Sequence, residues 1–200
     1  VKNVCENIGN KSFVFNDFFI VDSKLKKLNK KSYYELVDCD LRLQNHSPIT
    51  TKNYIGLGSL ALNLNSFPYN RIDFPSYIKA FDWYLVTFVL LNGGSCSFLE
   101  NTFAFYRQHD NSFIGSFNEL NKKRLKLGIQ VKLNHFKALK DYNKCYKYLL
   151  DQIIKLNSYL TLNGEREYIK KVNSHFEGKF PCWWQNILTL DEIYETYRRN

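Results

Sequence analysis

The chain has 200 residues, of which 44% are hydrophobic and 24% charged, a balance that excludes an intrinsically disordered protein and fits a globular one. Its net charge is +9, yet ten Lys/Arg against three acids between residues 117 and 160 put +7 of that in one stretch (10 − 3), leaving the first 116 residues close to neutral. No run of about 18 apolar residues exists, so no membrane-spanning helix is expected, and the first thirty residues lack the zones of a signal peptide. Because the sequence opens on Val1 and contains no Met, it reads as a piece of a longer protein. Five cysteines (Cys5, Cys39, Cys96, Cys145, Cys182) are odd in number, widely spread and free of any CxxC spacing. Reduced thiols in a cytoplasmic setting are therefore expected, without a disulfide framework or a structural zinc site.

In chain order, Lys11–Val21 predicts a strand, with Phe13, Phe15, Phe18 and Ile20 apolar and Asp22-Ser23 closing it in a turn. Tyr33–Leu43 reads as either a short helix or a strand, and Asn45–Lys52, with Pro48, as a loop. Tyr54–Leu62 is an apolar run interrupted by Gly56 and Gly58, which predicts close backbone approach or a bulge. After a loop over Phe67–Pro75, Ile78–Asn92 predicts a helix that is apolar nearly all round and hence buried. Asn92-Gly93-Gly94 supplies its stop, and Ser95–Arg107 predicts a strand. Apolar residues at 129, 133, 136, 139, 142, 146, 149, 153, 156 and 160 then predict one long amphipathic helix with lysines on its other faces. A break over Thr161–Gly164, a short helix over Glu165–Phe176 and a final segment from Phe180 complete the chain. The expected organisation is an α/β part over residues 1–116 and a basic helical extension over 117–200.

Among polar residues, Asp82 stands out at the start of the most apolar helix. The helix dipole favours a carboxylate there, and a simple N-terminal cap is the plainer explanation. Asp17 and Asp22 sit in a strand and a strand-end turn and read as structural. Tyr106-Arg107-Gln108-His109-Asp110-Asn111-Ser112 concentrates polar chemistry after a strand, where functional loops are common. Arg107 can fork onto a phosphate, and His109 can ligate a metal or bond a phosphate oxygen.

Taken together, Lys52-Asn53-Tyr54-Ile55-Gly56-Leu57-Gly58, Phe81-Asp82-Trp83-Tyr84, Asn92-Gly93-Gly94 and Tyr106-Arg107-Gln108-His109 resemble the family-2 glycosyltransferases. Those enzymes show a glycine-bearing strand, a D-W helix, a glycine turn and a strand ending Y-R-x-H. The 24 residues from Asp82 to Tyr106 (106 − 82) fit that order, and the resemblance covers roughly residues 10 to 116. It implies a partial GT-A-like sheet with flanking helices, followed by the helical C-terminal region. It implies an inverting transfer of sugar from a nucleotide-sugar donor to the hydroxyl of a glycan or lipid-linked acceptor, in cell-surface polysaccharide or glycoconjugate synthesis. Asp82 then stands as catalytic base, Arg107 and His109 on the diphosphate and metal side, and Trp83, Asn53, Gly56 and Gly58 on the acceptor side.

The same resemblance implies a divalent cation (Mg or Mn), held mainly by an upstream D-x-D motif that this stretch does not contain. The 200 residues alone are therefore expected to bind donor poorly and to be close to inactive. For the basic extension the expectations are peripheral contact with the inner face of a membrane, anchored by Trp183 and Trp184, or pairing with a second copy through the 129–160 stripe. The rival readings are a non-catalytic assembly module and a nucleic-acid-binding module. The second is disfavoured because no nucleic-acid-binding motif is present and the basic charge lies apart from the aromatic strands.

Overall fold

A computed structural model describes residues 2–37, 39–107, 119–160, 164–176 and 187–193. It is a mixed α/β chain with a small three-stranded sheet and several helices. Two compact units result, Val1–Phe74 with Phe81–Gly115, and Pro75–Ala80 with Ser116–Asn200. The inclusion of Pro75–Ala80 in the second unit is not signalled by the charge distribution.

In the first unit, a short helix α1 (Lys2–Asn7), which the sequence reading does not anticipate, precedes strand β1 (Phe13–Val21). The sheet order is β2-β1-β3, with β1 central. Strand β2 (Leu60–Leu62) runs antiparallel to β1, with Phe15 opposite Leu60 and Phe13 opposite Leu62. Strand β3 (Cys96–Arg107) runs parallel to it, from Phe13 opposite Cys96 to Val21 opposite Arg107. The β1–β3 register breaks between Asn16 and Asp17, whose partners are Leu99 and Phe103. Residues 100–102 therefore bulge out of β3, and Asn101 takes a left-handed φ of 56° there. The central strand is buried on both faces, since Phe13, Val14, Phe15, Phe18, Ile20 and Val21 are all in the core.

Two expectations in this unit are corrected. Tyr33–Leu43 forms neither helix nor strand among its described residues; it is a series of turns in which Leu36 and Val37 donate to the Tyr33 carbonyl. Its aromatics are spent on packing instead, Tyr33 stacking on Phe18 with ring centroids 4.4 Å apart. Tyr54–Leu62 is a strand only over its last three residues, because a 3₁₀ turn occupies Leu57–Ser59.

Helix α2 (Phe81–Leu91) begins three residues later than the apolar run does, and Trp83 through Thr87, Val89 and Leu90 are buried. It ends in a Schellman-type arrangement. Gly93 has φ 80°, the Gly94 amide donates to Val89 O at 2.9 Å and the Gly93 amide to Leu90 O at 3.4 Å. Gly94 is also sterically required, as a Cβ there would lie 2.3 Å from Val89 Cγ1.

The second unit corrects the single long helix. Residues 129–160 belong to two helices, α3 (Lys122–Leu139) and α4 (Lys144–Tyr159), which pack on each other. Asn143 caps α4 by accepting from the Cys145 amide at 3.0 Å. The stripe that suggested pairing with another copy is consumed inside this unit: Ile129, Phe136, Leu139, Tyr146, Ile153 and Leu156 are all buried. Helix α5 (Glu165–His175) follows, and a helical turn at 190–193 is opened by a reciprocal cap in which Thr189 N donates to Glu192 Oε2 and Glu192 N to Thr189 Oγ1. Three helices hold this last segment through one side chain each: Lys132 Nζ reaches Ile187 O (2.5 Å), Tyr168 OH reaches Leu188 O (2.7 Å) and Tyr148 OH reaches Asp191 Oδ2 (3.1 Å). No helix among the described residues is long and apolar enough to cross a membrane.

Candidate active site

Asp82 is the second residue of α2, where unpaired amides and the helix dipole favour an anion. Its Oδ1 accepts from the Trp83 amide at 2.7 Å, and the Leu57 amide also donates to the carboxylate. The glycine turn and the start of the apolar helix, 25 residues apart in sequence (82 − 57), thus meet at one acid. Part of the residue remains open to solvent, while the carboxylate itself is enclosed. Desolvation outweighs the amide hydrogen bonds and raises the pKa from the ordinary 3.8 to about 6.

The glycines answer differently from the expectation of close backbone approach. Gly56 has an ordinary extended backbone (φ −87°, ψ 153°), and a Cβ added at Gly56 or Gly58 meets nothing within 4 Å. Neither packing nor conformation demands glycine there; the consequence of both residues is open space beside the Leu57 amide.

Asn53 is buried and works on the backbone. Its Oδ1 accepts from Ile55 N and its Nδ2 donates to Ile55 O, both at 3.0 Å, which fixes the chain entering Gly56. Ser59 closes the turn from the other side, its amide and hydroxyl both donating to Gly56 O. Trp83 has 0% of its surface exposed and donates Nε1–H to Ile49 O at 2.7 Å. Its ring therefore offers no face to an acceptor, and its role in this structure is packing. Beside Asp82, Phe81 is 41% exposed and stacks on Phe74 with centroids 4.5 Å apart.

Arg107 ends β3 exposed on the surface, opposite Val21, and enters no ion pair among the described residues. His109 lies outside the described residues, as do Trp183 and Trp184. Asp17 and Asp22 are structural, as read: Asp17 Oδ1 accepts from Phe18 N (2.7 Å) and Tyr34 N (3.1 Å), and Asp22 Oδ1 from Lys24 N (2.8 Å) and Lys26 N (2.9 Å). Among the described residues, no group of three or more His, Cys, Asp or Glu could hold a metal ion.

Sequence reasoning missed the Leu57–Asp82 contact, which joins residues distant in the chain. It also missed the Ile49 carbonyl as the indole's partner. The Asn53 interaction was readable, since an Asx side chain reaching the amide two residues on is a local motif. No protein-family model, curated protein or solved structure matches the chain.

Proposed function

We propose that the chain is the acceptor-side part of an inverting glycosyltransferase with a GT-A-like fold, and that Asp82 is its catalytic base. The observation that carries the reading is a partly exposed residue at a helix start whose carboxylate is raised to about 6 by burial and accepts from the Leu57 amide, between two glycines at which a Cβ would meet nothing within 4 Å. A base poised just below neutral pH is largely ionised yet still takes up a proton readily. In the proposed reaction the acceptor hydroxyl gives its proton to Asp82 as its oxygen bonds to the anomeric carbon. The bond from that carbon to the donor's phosphate oxygen breaks, nucleoside diphosphate leaves with the electron pair, and the anomeric configuration inverts. Arg107 is the described candidate for the departing negative charge, and His109 joins it from the resemblance alone.

Asn53 serves this reading as a positioning residue for the glycine turn. Gly56 and Gly58 leave room for an acceptor, and Trp83 supports the helix start from the core. The cation and the rest of the nucleotide site belong, on this reading, to the upstream part.

The Leu57 amide favours a second reading, in which Asp82 merely ties the glycine turn to α2. The two differ in sign. A structural tie predicts that Asp82→Asn weakens the fold, whereas a base ionised at an energetic cost predicts that it strengthens the fold while removing transfer. The test is a transfer assay of the complete gene product with a panel of nucleotide sugars, wild type against Asp82→Asn. Loss of about a thousandfold with folding intact is expected; transfer retained in the variant overturns the proposal.

A further inference from the structure

The turn between α3 and α4 gathers four lysines. Lys137 and Lys140 stand at the end of α3, and Lys144 and Lys147 in the first turn of α4; all four are exposed. Between them, Tyr142 is 52% exposed. Within residues 137–147 Asp141 is the one acid, and none of the four lysines enters an ion pair among the described residues. Lys137 lies instead 5.3 Å from the ring centroid of Tyr77, itself 40% exposed. Lys137 and Lys140 suit the negative end of α3, but the other two are placed unfavourably. Lys144 and Lys147 sit at the positive end of α4, which has no acidic residue in its first turn. A helix that only had to fold would gain from the opposite charge there.

We propose that this hairpin end docks on an anionic bilayer surface, the lysines facing acidic headgroups and Tyr142 seated at the headgroup level. A short end carrying four lysines within one turn of each helix brings all of them within a Debye length of a flat charged plane at once. An exposed tyrosine among lysines, apolar in its ring and polar at its tip, suits that interface. Nucleic acid is the weaker match, because these cations are all lysines and no arginine fork accompanies them at the turn.

Co-sedimentation of the intact chain with phosphatidylcholine vesicles, with and without phosphatidylglycerol, tests the proposal. Binding is expected only with phosphatidylglycerol, and high salt should release it. Replacing Lys140, Lys144 and Lys147 together by Gln should weaken it roughly a hundredfold, about fivefold per lysine. The corresponding Lys→Arg triple should retain binding, which separates charge from folding, and Tyr142→Ala should show a smaller loss. Equal binding to neutral vesicles, no binding to either, or undiminished binding by the Gln triple overturns the proposal. So does an oligonucleotide that binds more tightly than the vesicles and loses that binding in the same triple, which would name nucleic acid as the partner.

Discussion

Among the described residues, each unit buries one ionisable side chain whose pKa moves toward neutrality, and the two differ in their surroundings. In the second unit, Lys132 is 2% exposed, its Nζ is held by the Ile187 carbonyl, and burial lowers its pKa to about 8 against the opposing pull of Glu192. Everything around it is closed, so the ammonium is a structural clip for residues 187–193. In the first unit, Asp82 is raised to about 6 by the same desolvation, but part of the residue remains open to solvent. Desolvation alone therefore does not mark a functional group. A perturbed group that solvent can still reach is the better candidate, and of this pair Asp82 meets that condition.

The sharpest way to break the comparison is to neutralise each charge. Asp82→Asn should cost about a thousandfold in transfer and should stabilise the fold at pH 7.5 by about 2 kcal/mol. The sign follows from a folded pKa above the unfolded one: the stabilising contribution is complete below pH 3.8 and is lost as pH rises through about 6. Thermal unfolding of both proteins at pH 4 and pH 7.5 checks this, the variants diverging only at the higher pH.

Lys132 runs the other way. Its folded pKa lies below the unfolded value of 10.5, so the second unit should gain stability as pH rises between about 8 and 10.5. Lys132→Met should remove that pH dependence. Denaturant midpoints across that pH range read the effect, with no change in transfer expected.

The smallest effect belongs to the glycines. Gly56→Ala should change stability by only a few tenths of a kcal/mol, about the scale of relieved unfolded-state entropy, because its Cβ meets nothing within 4 Å. A raised KM for acceptor without a loss of stability would sharpen the reading of the turn as an acceptor wall; unchanged kinetics would leave it a plain surface turn.

How legible all this was from the residues differs between the two units as well. Strand β1, the buried helix α2 and its glycine stop could be read locally, because a short apolar run closed by a turn, all-round apolarity and Asn92-Gly93-Gly94 are properties of adjacent residues. The α3–α4 break could not be read from spacing, since the three-and-four rhythm runs straight through Tyr142, which is an exposed turn residue and no member of the core stripe. The better signal was Asp141-Tyr142-Asn143, whose Asn is a preferred cap. At the candidate site, the acid and the glycines were visible as separate features. Their meeting was not, because an amide donated from Leu57 to Asp82 depends on how the 3₁₀ turn folds back onto α2, which no periodicity encodes.

The central claim is that Asp82 is a desolvated base at the mouth of α2, and a carboxyl titration tests it most directly. Carbon-detected NMR of the wild-type chain, with the Asp82 resonance assigned by its absence in Asp82→Asn, should give a pKa of about 6. A value at or below the ordinary 3.8 would show an amide-stabilised cap and contradict the account.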